Sequence, residues 1–351
     1  MSFRTRLPSF GLKPGATAEP PAMARISNHE TPLGSLTSGS HQLQDFGGTT
    51  GHTMSVDGVD TPGRGDYDDH PNSNMKVVIL AGGKGSRLLE ETRVKSKAMV
   101  KIGDYPIIWH IMKYYSSFGL SRFVIALGYQ ADSIRSYFEA GSAGPVVTDG
   151  PRTVVHPASE PGWTIELVDT GVETLSGGRL MRLKPYLGSG PFLMTYCDGL
   201  ADVDIERLLD FHRSHGRLAT LTAVHPPARY GRLALDEGHV SKFGEKAIDP
   251  GEWINGGFFV LSPQVLEYVT GDTTQWERGP LTELADDGQL MAYRHESFWQ
   301  CMDTLPEAIL LNDLWRNGEA PWRRWARAIS MASIGLVFSG VFHSAVECIA
   351  T

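Results

Sequence analysis

The sequence predicts an α/β fold of the doubly wound kind. Three observations carry that expectation. Short, continuous apolar runs such as Val77-Val78-Ile79-Leu80 mark strands buried on both faces, as in parallel sheets. Segments with helical apolar spacing stand between those runs. A glycine turn, Gly82 to Arg87, directly follows the first run.

In chain order, residues 1–74 come first and are crowded with Gly, Ser, Thr, Pro and His, without helical or strand period. Such a segment buries too little apolar surface to offset its ordering entropy, so it is expected to be a disordered N-terminal extension. It lacks the apolar core of a secretory signal. Arg4, Arg6 and Lys13 leave a transit peptide open, but an extension ahead of a start near Met75 is the plainer expectation.

The body is expected over 75–325. After the first strand, Pro106 to Phe118 has apolar residues at helical spacing and ends at Gly119, a C-cap residue. Phe123 to Leu127 predicts a second buried strand and Ala131 to Phe138 a short helix. Gly141 to Gly162 is loose and proline-rich. Strands are expected at Trp163–Val168, Phe192–Tyr196, Ala219–Val224, Ile254–Leu261 and Leu290–Arg294. Ile205–His215 and Leu305–Trp315 read as helices, and Leu233–Phe243 as a hairpin about Asp236-Glu237-Gly238. Residues 326–351 form an apolar tail. Gly335, Ser339, Gly340 and His343 interrupt its run, which falls short of the roughly 20 clean residues of a membrane span. A packed or frayed tail is expected instead.

Composition narrows the function. Of 351 residues, 32 are Lys or Arg and 40 are Asp or Glu, so the formal charge is −8 and no basic block exists to neutralise a nucleic-acid backbone. Cys197, Cys301 and Cys348 form no CxxC pair, which excludes a thiolate metal cluster and a disulfide framework and suggests a cytoplasmic setting. The 12 histidines gather into no ligand set; His212 and His215 read as a solvated helix face, and Trp315, Trp322 and Trp325 as packing residues.

The strongest chemical signal is Leu80-Ala81-Gly82-Gly83-Lys84-Gly85-Ser86-Arg87. Glycines at the end of a strand let main-chain N–H groups approach phosphates, and Arg87 adds a planar cation that fits phosphate oxygens. The same glycines would also serve a tight packing turn. A P-loop needs Lys after its last glycine, whereas Lys84 precedes Gly85, and a dinucleotide fingerprint needs glycine where Leu88 stands.

Lys76 to Arg87 resembles the opening of sugar-1-phosphate nucleotidylyltransferases, and residues 88–99 are similar to the glucose-1-phosphate cytidylyltransferase branch. Trp109-His110-Ile111-Met112, Leu167 to Gly171, Gly177 to Leu180, Asn255 to Phe259 and Met302 to Leu305 follow in the family's order. The resemblance spans about 75–325. It implies a Rossmann-like nucleotidyltransferase fold: a mixed, mostly parallel sheet flanked by helices, with a small sugar-binding lobe inserted around 225–260. It implies transfer of a cytidylyl group from CTP to α-D-glucose 1-phosphate with Mg²⁺, giving CDP-glucose and pyrophosphate, and a homo-oligomer. Such a transfer needs positioning and charge neutralisation more than covalent help.

The roles follow from the resemblance. Asp198 and Asp303 are implied as metal ligands, and Arg87, Lys97 and Asp198 as catalytic residues. Leu80 to Arg87, Lys97, Thr174, Arg179 and Cys197 would meet the nucleotide. Glu245, Lys246 and Asn255 would meet the sugar phosphate. Ser96 and Ala98 stand where the family commonly has prolines. Arg179, as a donor, would suit the N3 and O2 acceptors of cytosine. Another nucleotide or sugar 1-phosphate, or a non-catalytic nucleotide-sugar-binding relative, are the alternatives.

Overall fold

Val77 to Leu80 alternate between two layers, and that alternation explains why the run is apolar throughout. Val77 and Ile79 face one buried cluster with Phe123, Ile125, Met112 and Tyr115, while Val78 and Leu80 face another with Val124, Leu180, Phe259 and Trp276. A strand with a core on each side has no face left for polar residues. The computed structural model describes residues 70–84, 95–226 and 252–325, and the backbone of 232–236 and 239–244.

The first strand, β1, is Lys76–Leu80, followed by a short ladder of β2 (Lys101–Ile102) and β3 (Tyr105–Pro106). Helix α1 (Ile107–Ser116), β4 (Arg122–Leu127) and α2 (Ala131–Ala140) follow. Next come β5 (Val147–Asp149), β6 (Arg152–Val155) and β7 (Thr164–Asp169), then α3 (Ser176–Arg182) and α4 (Lys184–Leu187). β8 (Phe192–Tyr196), β9 (Gly199–Ala201), α5 (Ile205–His215) and β10 (Ala219–Val224) lead to a hairpin of β11 (Arg232–Asp236) and β12 (His239–Gly244). β13 (Ile254–Leu261), α6 (Pro280–Asp286), β14 (Leu290–His295), β15 (Trp299–Cys301) and α7 (Leu305–Arg316) complete the described body.

The main sheet has the order β14-β10-β13-β8-β1-β4-β7-β6-β5 among the described residues. Its centre, β8-β1-β4-β7, is parallel; β13 runs antiparallel to both β8 and β10. The sheet is therefore mixed, and the parallel strands all deliver their carboxyl ends to one edge, where ligands of open α/β sheets bind. The β11–β12 hairpin stands outside the main sheet between β10 and β13, where the inserted lobe was expected.

Several expectations need correction. The proline-rich stretch 141–162 holds the antiparallel edge pair β5–β6, with Thr153 and Val155 facing inward. Residues 70–74 belong to a turn on the body: Asn72 is buried and accepts from Arg213 Nη2 at 3.0 Å. His212 is buried, not solvated; its Nδ1 and His215 Nε2 meet Thr220 Oγ1 at 2.9 and 2.8 Å. Trp322 is fully buried, and Trp325 stands edge-on to Trp109, in keeping with packing roles. No helix among the described residues is long and apolar enough to cross a membrane. Residues 1–69 and the apolar tail 326–351 lie outside the described residues.

Candidate active site

Two short strands bring the site together. β8 ends at Tyr196, and the chain turns through Cys197 and Asp198 into β9. β9 pairs antiparallel with β15, with Gly199 opposite Cys301, and Met302 N donates to Asp198 O at 2.8 Å beyond the ladder. That pairing sets Asp198 and Asp303 side by side although a large part of the body separates them in sequence. Glu307 Oε2 accepts from the main-chain N–H of Asp303 and Thr304 at 2.7 and 2.9 Å, which fixes the start of α7. Thr304 is the N-cap, so the Asp303 carboxylate is not spent on capping.

Lys97 reaches both carboxylates. Its Nζ donates to Asp198 Oδ2 at 2.7 Å and to Asp303 Oδ1 at 2.5 Å. Those two oxygens thus lie no farther apart than the sum of the two bonds. The Lys97 side chain is only 9% exposed. Burial works against its charge, but the Asp198 charge and the hydrogen bonds to both aspartates outweigh it and hold the ammonium above its ordinary range. Lys97 opens a 3₁₀ turn, Lys97–Met99, held by Met99 N to Ser96 O and Val100 N to Lys97 O. Ser96 N also donates to Ser133 Oγ at 3.1 Å. These bonds fix the Lys97 backbone without the prolines.

The glycine loop lies at the end of β1. Gly82 O accepts from Tyr129 N and from Arg179 Nη2, and a side chain at Gly82 would collide with the Arg179 guanidinium. Gly83 has open space around it. Ala81 is buried and bonded through its N–H to Ala126 O, so it supports the loop from behind. Lys84 pairs with Glu173 at 3.0 Å, tying this loop to the segment after β7. Gly85, Ser86, Arg87, Glu245 and Lys246, all expected in the site, lie outside the described residues.

A cavity of about 800 Å³ joins these parts. Of the expected residues, Leu80, Gly82, Gly83, Lys84, Lys97, Thr174, Arg179, Cys197, Asp198, Asn255 and Asp303 line it. Its size suits a nucleotide-scale ligand. Asn255 lies in β13, and its Oδ1 accepts from Gly257 N at 2.9 Å. Burial pushes the Cys197 thiol up to about 12, which makes it a poor nucleophile. Cys301 Sγ lies 3.9 Å from Asp303 Oδ2.

Arg179 departs from its expected geometry. Its Nη1 donates to Leu127 O, Thr170 Oγ1 and Gly171 O, and its Nη2 to Gly82 O and Val172 O, at 2.7–3.2 Å. The guanidinium is occupied in holding three loops together, so it is not aimed at a base in this arrangement. Tyr196, Ser176, Gln275 and Glu277 also line the cavity and were not expected from the sequence. Glu277 follows a buried Trp276 in a segment without a motif, so only proximity reveals it.

Asp198 and Asp303 fit a hard divalent cation. They offer carboxylate oxygens converging on one cation-sized position, which the Lys97 ammonium marks, and Mg²⁺ commonly takes only one or two protein carboxylates. Among the described residues no cluster of three or more metal-ligating side chains exists.

Parallel strands that deliver a glycine loop and two converging carboxylates to one cavity define a nucleotide-handling α/β enzyme of the phosphoryl-transfer type. Residues 76–300 match the family model for nucleotidyl transferases. The chain is 48% identical over 257 residues to the glucose-1-phosphate cytidylyltransferase of Salmonella typhi, spanning 72% of this chain and 100% of that protein. The enzyme of the same name from Salmonella typhimurium matches to the same extent. This protein belongs to the nucleotidyl transferase family and, within it, to the glucose-1-phosphate cytidylyltransferases. The structure of HddC from Yersinia pseudotuberculosis shares the fold, with a TM-score of 0.51 and 20% identity over 69% of this chain and 99% of that one.

Proposed function

We propose that this protein transfers a cytidylyl group from CTP to α-D-glucose 1-phosphate, releasing pyrophosphate and forming CDP-glucose for nucleotide-sugar biosynthesis. The observation that carries this reading is the meeting of Lys97, Asp198 and Asp303 beside the glycine loop within one cavity. A phosphate oxygen of the sugar attacks the α-phosphorus, a new P–O bond forms, and the bond to the pyrophosphate leaving group breaks. This displacement requires alignment of two anions and dispersal of their charge.

The chain's own residues supply most of that. Main-chain N–H groups of the glycine loop receive phosphate oxygens, and Lys97 follows the triphosphate as a mobile point charge. By resemblance, Arg87 joins them, and Glu245 and Lys246 hold the sugar's hydroxyls and phosphate. Asn255, which lines the same cavity, offers an amide donor and acceptor for a sugar hydroxyl. Asp198 and Asp303 would hold Mg²⁺, which supplies charge neutralisation on the phosphates. Arg179 keeps the Gly82, Leu127 and Gly171 carbonyls at fixed positions around the nucleotide. We assign the enzyme to the cytoplasm, in keeping with a sequence whose cysteines form no CxxC pair, and as a homo-oligomer by resemblance.

The test is pyrophosphate release across a panel of nucleoside triphosphates and sugar 1-phosphates, with and without Mg²⁺. CTP with glucose 1-phosphate is expected to turn over fastest, and only with the metal. Faster turnover with another pair would replace the substrates. No release with any pair would favour a binding protein.

A further inference from the structure

We propose that Lys97 is the resident counter-ion of the metal position: its ammonium holds the place between Asp198 and Asp303, and it moves off when a divalent cation enters. Entry of the metal and delivery of Lys97 toward the phosphates are then one event. This inference rests on the reading of Asp198 and Asp303 as the metal carboxylates.

The geometry sets the ammonium where a divalent cation would sit. Lys97 Nζ engages one oxygen from each aspartate, at 2.7 and 2.5 Å. A Mg²⁺-sized ion reaches carboxylate oxygens at about 2.1 Å. An ion and an ammonium sharing the same two oxygens would meet within a few ångströms with like charge and little water between them, so each disfavours the other there. The site is shielded on the Asp303 side, where the side chain is 14% exposed and that of Lys97 9%, and opens to solvent at Asp198, 29% exposed. Without any cation, two carboxylates this close would also repel each other. Lys97 therefore stabilises the empty site, and the same contact makes it a competitor for the metal.

Lys97 can move without disturbing the fold. Its backbone is fixed in the Lys97–Met99 turn, and only a flexible four-carbon stem carries the charge. Lys97 lines the same cavity as Gly82 and Gly83, so a displaced ammonium has the phosphate position within that cavity as its next anionic partner. The two positive charges that the chemistry needs are thereby supplied in sequence, and neither is buried unpaired beforehand.

Binding of Mn²⁺ alone to the full chain, followed by the loss of its free-ion EPR signal without nucleotide, tests the exchange. If Lys97 occupies the site about nine-tenths of the time, it lowers apparent metal affinity roughly tenfold. Lys97→Met is expected to bind Mn²⁺ about tenfold more tightly than the wild type and to gain more melting temperature from it. Adding Asp303→Asn should erase both gains. Lys97→Gln keeps an N–H donor without the charge and gives the same comparison if Lys97→Met folds poorly. Equal or weaker Mn²⁺ binding by both Lys97 variants, with binding still lost in Asp198→Asn, would overturn the exchange and leave the carboxylate assignment standing. Mn²⁺ affinity indifferent to Asp198→Asn and Asp303→Asn would overturn both.

Discussion

The phenol of Tyr196 donates to Glu277 Oε1 at 2.7 Å, and Ser176 Oγ donates to the other oxygen of the same carboxylate at 2.8 Å. Glu277 thus fastens the end of β8, two residues before Asp198, to the first residue of α3. Tyr196→Phe is expected to weaken this link by about 0.5–1.5 kcal/mol, the usual net value of one hydrogen bond. The effect should appear as a several-fold rise in KM for the substrates with little change in melting temperature. Steady-state kinetics that match the wild type would leave the link without a functional role.

Asp198→Asn and Asp303→Asn preserve shape while removing one charge each. Each variant is expected to lose at least about two decades in kcat, because the metal-binding charge goes while the fold stays. Circular dichroism should show native structure in both. Turnover within a few-fold of the wild type would remove that carboxylate from the metal assignment.

Arg179→Leu is expected to destabilise the protein more than a surface change would. The carbonyls of Gly82 and Leu127 lose one of their donors in a buried place, and the guanidinium no longer ties them to Gly171 and Val172, which costs about 2–4 kcal/mol. Gly82→Ala should weaken the same junction, since its Cβ would fall 2.2 Å from Arg179 Nη1. Denaturant midpoints measure both. A normal midpoint in Arg179→Leu, with only the KM for CTP raised, would restore a direct base contact.

Burial lowers both His110 and His212 to about 4, aided at His212 by the neighbouring His215 and Arg213. His110 also meets Ile102 O through Nε2 and takes the Trp322 indole N–H on Nδ1, which suits the neutral ring. Unfolded histidine titrates near 6.5, so between about pH 4 and 6.5 the unfolded chain binds more protons than the folded one. Stability should therefore rise with pH through that window and be lost as pH falls, with a slope of at most about 2.7 kcal/mol per pH unit from two histidines. His212→Gln should roughly halve the slope in denaturant titrations at several pH values. An unchanged slope would mean that His212 titrates normally.

Truncation separates the extension from the body. Removal of residues 1–69 is expected to leave kinetics nearly unchanged, since every motif lies downstream. Removal of 1–74 should cost stability, because His70 packs over Gly119 and Asn72 holds Arg213. Equal melting temperatures for the two truncations would make the turn dispensable.

How much was legible depended on where each signal resides. Val77 to Leu80 and Phe192 to Met194 declared themselves because burial on both faces favours apolar side chains. The ends of α5 were readable from Asp204, which caps Arg207 N, and from Gly216 with its positive φ. β5 and β6 were not, since β5 is exposed throughout and its neighbours are Pro and Gly. β9 and β15 span three residues each, too short for a period. α3 hides behind Gly177 and Gly178, poor helix formers that are needed because a side chain on either would strike Thr274 or Asp272. The family's motifs pointed to Asp198 and Asp303, but the lysine joining them required coordinates. Arg179 looked like a ligand residue because an arginine beside glycines gives the same signal whether its partner is a phosphate or a carbonyl.

The β9–β15 ladder also has a meaning in time. Lys97 stands 101 residues before Asp198 and 206 before Asp303, so the triad closes only after almost the whole body has been synthesised. A nascent chain halted before β15 would already hold Lys97 and Asp198 yet would lack Asp303 as the second partner of that ammonium. The contact of Lys97 with Asp303 is thus among the last that the body can make as the chain lengthens, and it joins segments 206 residues apart.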